Sequence, residues 1–125
     1  MVNPATINGP VGLIDAIIEG IRRKKGLEIV DIDLQVIHNT ECDHYIICHG
    51  TSNTHVDAIA HSVEETVEEL QNEPVWHCDG YSNAKWILLD YVNIMVHIFQ
   101  EPIRRLYDLE SLWADGLIYN MDVDI

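Results

Sequence analysis

The sequence predicts an α/β domain: one mixed sheet of about five strands flanked by helices. Three observations predict it. Apolar residues recur at helical spacing in two segments, one early and one after GTSN at 50–53. Short runs rich in Ile, Val and Tyr lie between and after them. A helix falls between the second and third runs, as in a parallel crossover, while the last two runs are joined tightly enough for an antiparallel pair. The order reads α-β-β-α-β-β-β-α, and 125 residues suffice for one domain with a real core.

Residues 1–12, with Pro4, Gly9 and Pro10, read as a flexible arm; 13–114 form the body and 115–125 a tail. Leu13 to Lys25 is a helix, because Leu13, Ile14, Ile17, Ile18 and Ile21 make one stripe and Gly26 supplies a stop. Arg22, Arg23, Lys24 and Lys25 complement that helix's dipole, which explains them without an RNA contact. Glu28 to Leu34 is a strand with Val30, Ile32 and Leu34 on one face and Asp31 and Asp33 on a polar one. Val36 to Asp43 is a loop. His44 to His49 is a near-continuously apolar strand, which suggests cover on both faces.

Thr51, Ser52 or Asn53 caps the second long helix. Val56, Ile59, Ala60, Val63, Val67 and Leu70 form its buried stripe, and Glu64, Glu65, Glu68, Glu69 and Glu73 a solvated face. Pro74 closes it. Val75 to Asp79 is a short strand and Gly80 to Ala84 a loop. Lys85 to Tyr91 and Ile94 to Gln100 make a hairpin turning at Tyr91–Asn93. Pro102 suits a first helical turn. Leu106, Leu109, Leu112 and Trp113 then share a stripe from which Tyr107 points away. The tail from Leu117 to Ile125 alternates, and is either an edge strand, in its own or a neighbouring chain, or a frayed terminus.

Seven basic against 21 acidic residues give −14, and four of the cations are in 22–25. Such a surface repels phosphate, so little direct nucleic-acid binding is expected; a basic protein partner is attracted. No basic start with a long apolar core marks a signal peptide, and no apolar run approaches the ~20 residues of a membrane span. Three cysteines without framework spacing read as reduced thiols in a cytoplasmic protein.

Catalytic chemistry is sparse. Cys42, His44 and Cys48 could share a strand face, but His44 and Cys48 would lie ~13 Å apart there. One ion with ~2.0–2.3 Å bonds does not bridge that, so no metal or other cofactor is expected. Ser52 lies in GTSN, not GxSxG, and its ordinary role is capping. Cys48 sits in an apolar run, where a thiol stays protonated. The sharpest enzymatic alternative is nucleotidyl transfer: Gly50–Ser52 before a helix resembles a phosphate-side turn. The next strand, VWHCD, offers only Asp79 where two carboxylates would hold Mg²⁺. Asp31 and Asp33 come before the turn, in the wrong order. His97, alternating with Met95 and Phe99, reads as a packed, hydrogen-bonded histidine.

Two segments, DHYIICHGTSNTHVDAIA at 43–60 and WILLDYVNIMVHIFQEPIRRLYDLESLW at 86–113, resemble the Iojap or ribosomal silencing factor family, and the similarity runs from about Leu13 to Trp113. The resemblance implies a nucleotidyltransferase-like sheet without the catalytic carboxylates, and no enzymatic activity. It implies binding to the fourteenth protein of the large ribosomal subunit. That would block joining of the small subunit and lower translation when nutrients run short. It carries over as partner-facing Trp86, Asp90, Tyr91, Glu101, Arg104 and Tyr107, with Trp86 and Tyr107 as aromatic anchors, Asp90 and Glu101 meeting basic groups, and Arg104 orienting a carboxylate. A small nucleotide-handling enzyme and a large-subunit assembly factor stay open as alternatives, and tail pairing between chains would give a homodimer. Where the family has Gly-Asp at the hairpin turn, this chain has Val92–Asn93, so the turn is expected to be rebuilt.

Overall fold

The computed structural model describes residues 10–122. Ten elements follow in order: α1 (Pro10–Arg23), β1 (Leu27–Asp33), β2 (His44–Gly50), α2 (Asn53–Gln71), β3 (His77–Asp79), β4 (Trp86–Asp90), β5 (Ile94–Gln100), α3 (Glu101–Tyr107), α4 (Leu109–Leu112) and β6 (Leu117–Asn120). They build one mixed sheet in the order β3-β4-β5-β2-β1-β6. Only β2 and β5 pair in parallel; every other pair is antiparallel. The parallel neighbour of β2 is thus β5, reached through α2 and the β3–β4 ribbon, and not the strand that follows the helix.

The fold is α/β with helices flanking a mixed sheet, as expected, but with six strands rather than about five. The sixth comes from the tail: Leu117–Asn120 pairs with β1 of its own chain, from Asp33↔Leu117 to Val30↔Asn120. The expected arm falls largely on residues 1–9, and the end of the tail alternation on Val123 and Ile125; both lie outside the described residues. Helix α1 begins at Pro10, earlier than the stripe suggested, and stops at Arg23. Its stop is set by Lys25, which takes a left-handed φ of 58°. Gly26 is needed for space instead, since a Cβ there would sit 2.3 Å from the Ile21 side chain.

One face of the sheet is covered by α1 and α2. Ile17 and Ile21 of α1 and Val56, Ile59 and Val63 of α2 close over Ile29, Ile46, Ile87, Val96 and Ile98, all buried. The helices touch at Gly20, where a Cβ would lie 2.7 Å from the Val63 Cα, and the Ser62 hydroxyl donates to the Gly20 carbonyl at 2.7 Å. Only glycine permits that approach. Ser52 is the cap of α2, its Oγ accepting from the His55 amide, and Asn72 ends the helix in the left-handed region before Pro74. Strand β2 is buried along its whole length, as its apolar run implied.

The polar face expected of β1 is not solvated. Asp31 is buried on the helix-facing side of the sheet and accepts from or shares a proton with His44 Nδ1 at 2.9 Å. That carboxylate raises the His44 pKa. The stripe expected through Leu106, Leu109, Leu112 and Trp113 also breaks. Asp108 adopts a φ of 48° and splits the segment into α3 and α4, so Leu109 and Trp113 pack on the sheet while Leu106 and Leu112 are exposed.

At the hairpin, Val92 carries a φ of 74°, and the Asn93 amide donates to the Tyr91 carbonyl at 2.9 Å. This three-residue γ-turn is rare and strained, and a β-branched residue is poorly suited to it. Replacing Val92 with Gly is therefore expected to stabilise the protein by about 1 kcal/mol, the relief of left-handed strain outweighing the added chain entropy. A thermal melt reads this as a higher Tm for Val92→Gly; an unchanged or lower Tm would count against strain at the turn.

Candidate protein-binding surface

The second face of the sheet is only partly covered. Ile32, Leu34, Tyr45, Ile47 and Phe99 form its buried core, and Ile103, Leu109 and Trp113 of the α3–α4 segment cover part of it. What anchors that cover is Arg104. Arg104 is 2 % exposed, yet each of its three guanidinium nitrogens has an acceptor. Nη2 and Nε donate to Glu110 Oε2 at 2.8 and 3.2 Å, and Nη1 donates to His49 Nδ1 at 2.8 Å and to the Leu27 carbonyl at 3.4 Å. One side chain thereby ties α3 to α4, to the end of β2 and to the start of β1.

Arg104 also fixes a tautomer. An arginine only donates, so His49 Nδ1 must be the lone pair and Nε2 carries the hydrogen. Nε2 faces Glu28 at 3.8 Å, and Glu28 in turn accepts from Arg105, which also pairs with Glu101 at 2.9 Å. Burial, with the Arg104 charge second, lowers the His49 pKa and keeps the ring neutral beside the cation. The Arg105 pairs are exposed and contribute little to stability.

Placed by this bracket, Tyr107 ends α3, 52 % exposed, with its ring centroid 4.8 Å from that of Trp86 at the start of β4. Trp86 lies between Tyr107 and Phe99, whose centroid is 4.9 Å away. Its indole Nε1 donates to His97 Nδ1 at 3.1 Å. His97 is buried at a T-shaped contact with Tyr45, and its other nitrogen, Nε2, has no partner. Desolvation pushes its pKa down to about 4, so it stays a neutral acceptor for the indole. The result is an aromatic ledge with Leu106 and Leu112 exposed on the same segment and Glu101, Asp108 and Glu110 beside them.

Not all six carried-over positions share this surface. Trp86, Glu101, Arg104 and Tyr107 do, but Arg104 is a buried support whose carboxylate is Glu110 of its own chain. Asp90 and Tyr91 lie at the far end of the hairpin. The Asp90 carboxylate caps the turn by accepting from the Val92 amide at 2.7 Å. Tyr91 is buried against the helix-facing core because its ring fills the space below α2. Neither side chain is presented to a partner. Glu110, His49 and His97 were not singled out as members of this surface from sequence. Glu110 is six residues from Arg104, a spacing that pairs nothing on one straight helix.

Among the described residues no group of three or more His, Cys, Asp or Glu could hold a metal ion. Burial pushes the Cys48 thiol up to about 12. Asp79 stands exposed on the three-residue β3. No described helix is long and apolar enough to cross a membrane.

The family model described as "Ribosomal silencing factor during starvation" matches residues 9–125. The chain belongs to that family. It is 33% identical over 104 residues to ribosomal silencing factor RsfS of Halalkalibacterium halodurans, covering 83% of this chain and 87% of the relative. RsfS of Bacillus subtilis is 32% identical over 99 residues, covering 79% and 82%. The mouse protein named "Mitochondrial assembly of ribosomal large subunit protein 1" is 24% identical over 81% of this chain and 45% of its own length. A solved structure from Chromobacterium violaceum superposes with a TM-score of 0.79 at 26% identity, covering 91% of this chain and 92% of the other. One from Bacillus halodurans does so with a TM-score of 0.73 at 32% identity, covering 83% and 95%.

Two outcomes follow from this geometry. Arg104→Met leaves buried His49 and half-buried Glu110 without their partner and is expected to destabilise by about 3 kcal/mol, read by urea unfolding; a loss under 1 kcal/mol would mean the bracket is not holding the segment. His97 binds a proton near pH 4 when folded but near 6.5 when unfolded, so the unfolded state takes up more protons between those values. Stability should therefore fall as pH drops from about 6.5 to about 4, by up to ~3 kcal/mol. His49, also lowered, adds to the same limb, while His44, with its raised pKa, acts in the opposite sense and above 6.5. His97→Asn, which can still accept from the indole, should flatten the acid limb; an equally steep limb would assign it to other groups.

Proposed function

We propose that this ribosomal silencing factor family member binds the large ribosomal subunit through its fourteenth protein and blocks joining of the small subunit by occupying the surface that subunit needs. It acts by binding, without a covalent step, and in the bacterial cytoplasm. The observation that carries the reading is Tyr107, half-exposed on the face of Trp86 and rigidly backed by the Arg104 bracket. Rigid aromatics on a supported element are the residues that anchor protein interfaces. A net charge of −14 steers the chain toward a basic partner such as a ribosomal protein and away from bare RNA.

Within this reading Trp86 and Tyr107 are the contacts, Glu101 supplies charge beside them, and Arg104 and His97 hold them in place. The mouse relative, named for assembly of the large subunit, supports a second reading in which the same surface serves subunit assembly. The two differ in outcome: silencing requires that mature subunits fail to join.

Sedimentation of the purified protein with isolated large and small subunits separates the cases. The expected result is co-sedimentation with large subunits alone, fewer joined particles, and at least a tenfold weaker effect for Tyr107→Ala. Binding to neither subunit would overturn the reading. Binding without any loss of joined particles would favour assembly.

A further inference from the structure

The two ends of the sheet differ in charge and in what they expose. Strand register fixes which residues share an end. Leu27 faces His49, Gly50 faces Gln100 and Trp86 faces Phe99 at one; Asp33 faces His44, His44 faces Ile94 and Asp90 faces Met95 at the other. Lys24 and Lys25 precede β1, Lys85 precedes β4, and Arg104 and Arg105 follow β5. Arg22 donates to the carbonyl of Met121, whose amide bonds to Ile29 near the start of β1. Those are six of the chain's seven Lys and Arg, all at the first end. The seventh, Arg23, is paired with Glu19 and Glu69 on the helices.

The second end has Asp33, Asp43, Glu41 and Glu73 around it and no Lys or Arg. Asp43 abuts the hairpin turn, its amide donating to the Asn93 carbonyl at 2.8 Å. Glu73 is close enough to the Tyr91 hydroxyl to help raise its pKa. At the centre of this end, Asp90 holds two apolar residues out in solvent. Its carbonyl accepts from the Trp76 amide at 2.9 Å and its carboxylate from the Val92 amide at 2.7 Å. Trp76 is 72 % exposed and Val92 is 56 % exposed. Val92 is also the strained residue of the turn. Strain that persists at an exposed position is a pointer to use.

From the exposed Trp76 and Val92, each bonded through its amide to Asp90, and from surroundings that hold carboxylates and two histidines, His44 and His77, but no Lys or Arg, we propose that this end of the sheet docks a basic, extended segment of a protein partner, with an Arg or Lys side chain lying on the Trp76 indole. The indole face attracts a cation, Val92 takes the side chain's methylenes, and Asp43, Glu41 and Glu73 complement the charge. Nucleic acid is repelled by the same carboxylates. Trp86 and Asp90 are the two ends of β4, ~13 Å apart, so this surface is separate from the Tyr107 ledge and does not depend on its function.

The test uses the full chain with nitrogen-15 in its three indoles, titrated with a hexa-arginine peptide at low salt. Expected are a moving Trp76 indole resonance beside stationary Trp86 and Trp113, a fivefold or greater loss of affinity in Trp76→Ala, and a smaller loss in Glu73→Gln. Trp76 is so exposed that its removal leaves the core intact. Unchanged affinity in Trp76→Ala would show diffuse charge attraction and overturn the proposal, as would a stationary Trp76 resonance. Loss of peptide binding in Tyr107→Ala would move the segment to the other surface and also overturn it. Subunit sedimentation reads the ledge separately, so either surface can fail without the other.

Discussion

The Arg104 guanidinium decides how the second face of the sheet is covered. A charge taken out of water costs several kcal/mol unless its donors are all matched. Here they meet Glu110, His49 and the Leu27 carbonyl, three groups from three elements, within 2.8 to 3.4 Å. The match holds only in one arrangement of α3, α4, β1 and β2. It therefore fixes the angle at which the chain leaves β5 and the break at Asp108. It also fixes the neutral tautomer of His49. Removing Arg104 would leave His49 Nδ1 buried without its donor, and removing Glu110 would leave the buried cation without its counter-charge.

Function, in the reading proposed here, is a consequence of that placement. A seven-residue helix has little stability alone. Held by Arg104 it presents Tyr107 at a defined position on Trp86, and Trp86 is held from below by the hydrogen bond to His97. Preorganisation of this kind lowers the entropy lost on docking. The acidic surface supplies encounter rate and partner choice rather than the fit itself.

Much of this was legible in the sequence. The apolar run of β2, the stripe of α2 and the hairpin all follow from periodicities of two and 3.6 residues. What failed involved contacts that no period encodes. Arg104 meets His49 across 55 residues and Glu110 across a backbone break. Asp108 at a φ of 48° changes the helical phase, so Leu106 and Leu112 come out exposed. Asp31 looked solvated on alternation alone, yet its partner His44 and its place between β2 and β6 bring it inside. Tyr91, assigned to the surface by resemblance, is required by the core, and the value of Trp76 appears only once its surroundings are known.

The measurement that bears most directly on the central role of Arg104 is the affinity of a Glu110→Leu variant for isolated large subunits. Trp86 and Tyr107 remain in this variant, and leucine keeps similar bulk while offering the Arg104 guanidinium no acceptor. If the bracket positions the ledge, affinity falls toward that of a protein lacking Tyr107 while circular dichroism still shows a folded chain. Wild-type affinity in a folded Glu110→Leu protein would contradict the account, because the ledge would then hold its position without the bracket.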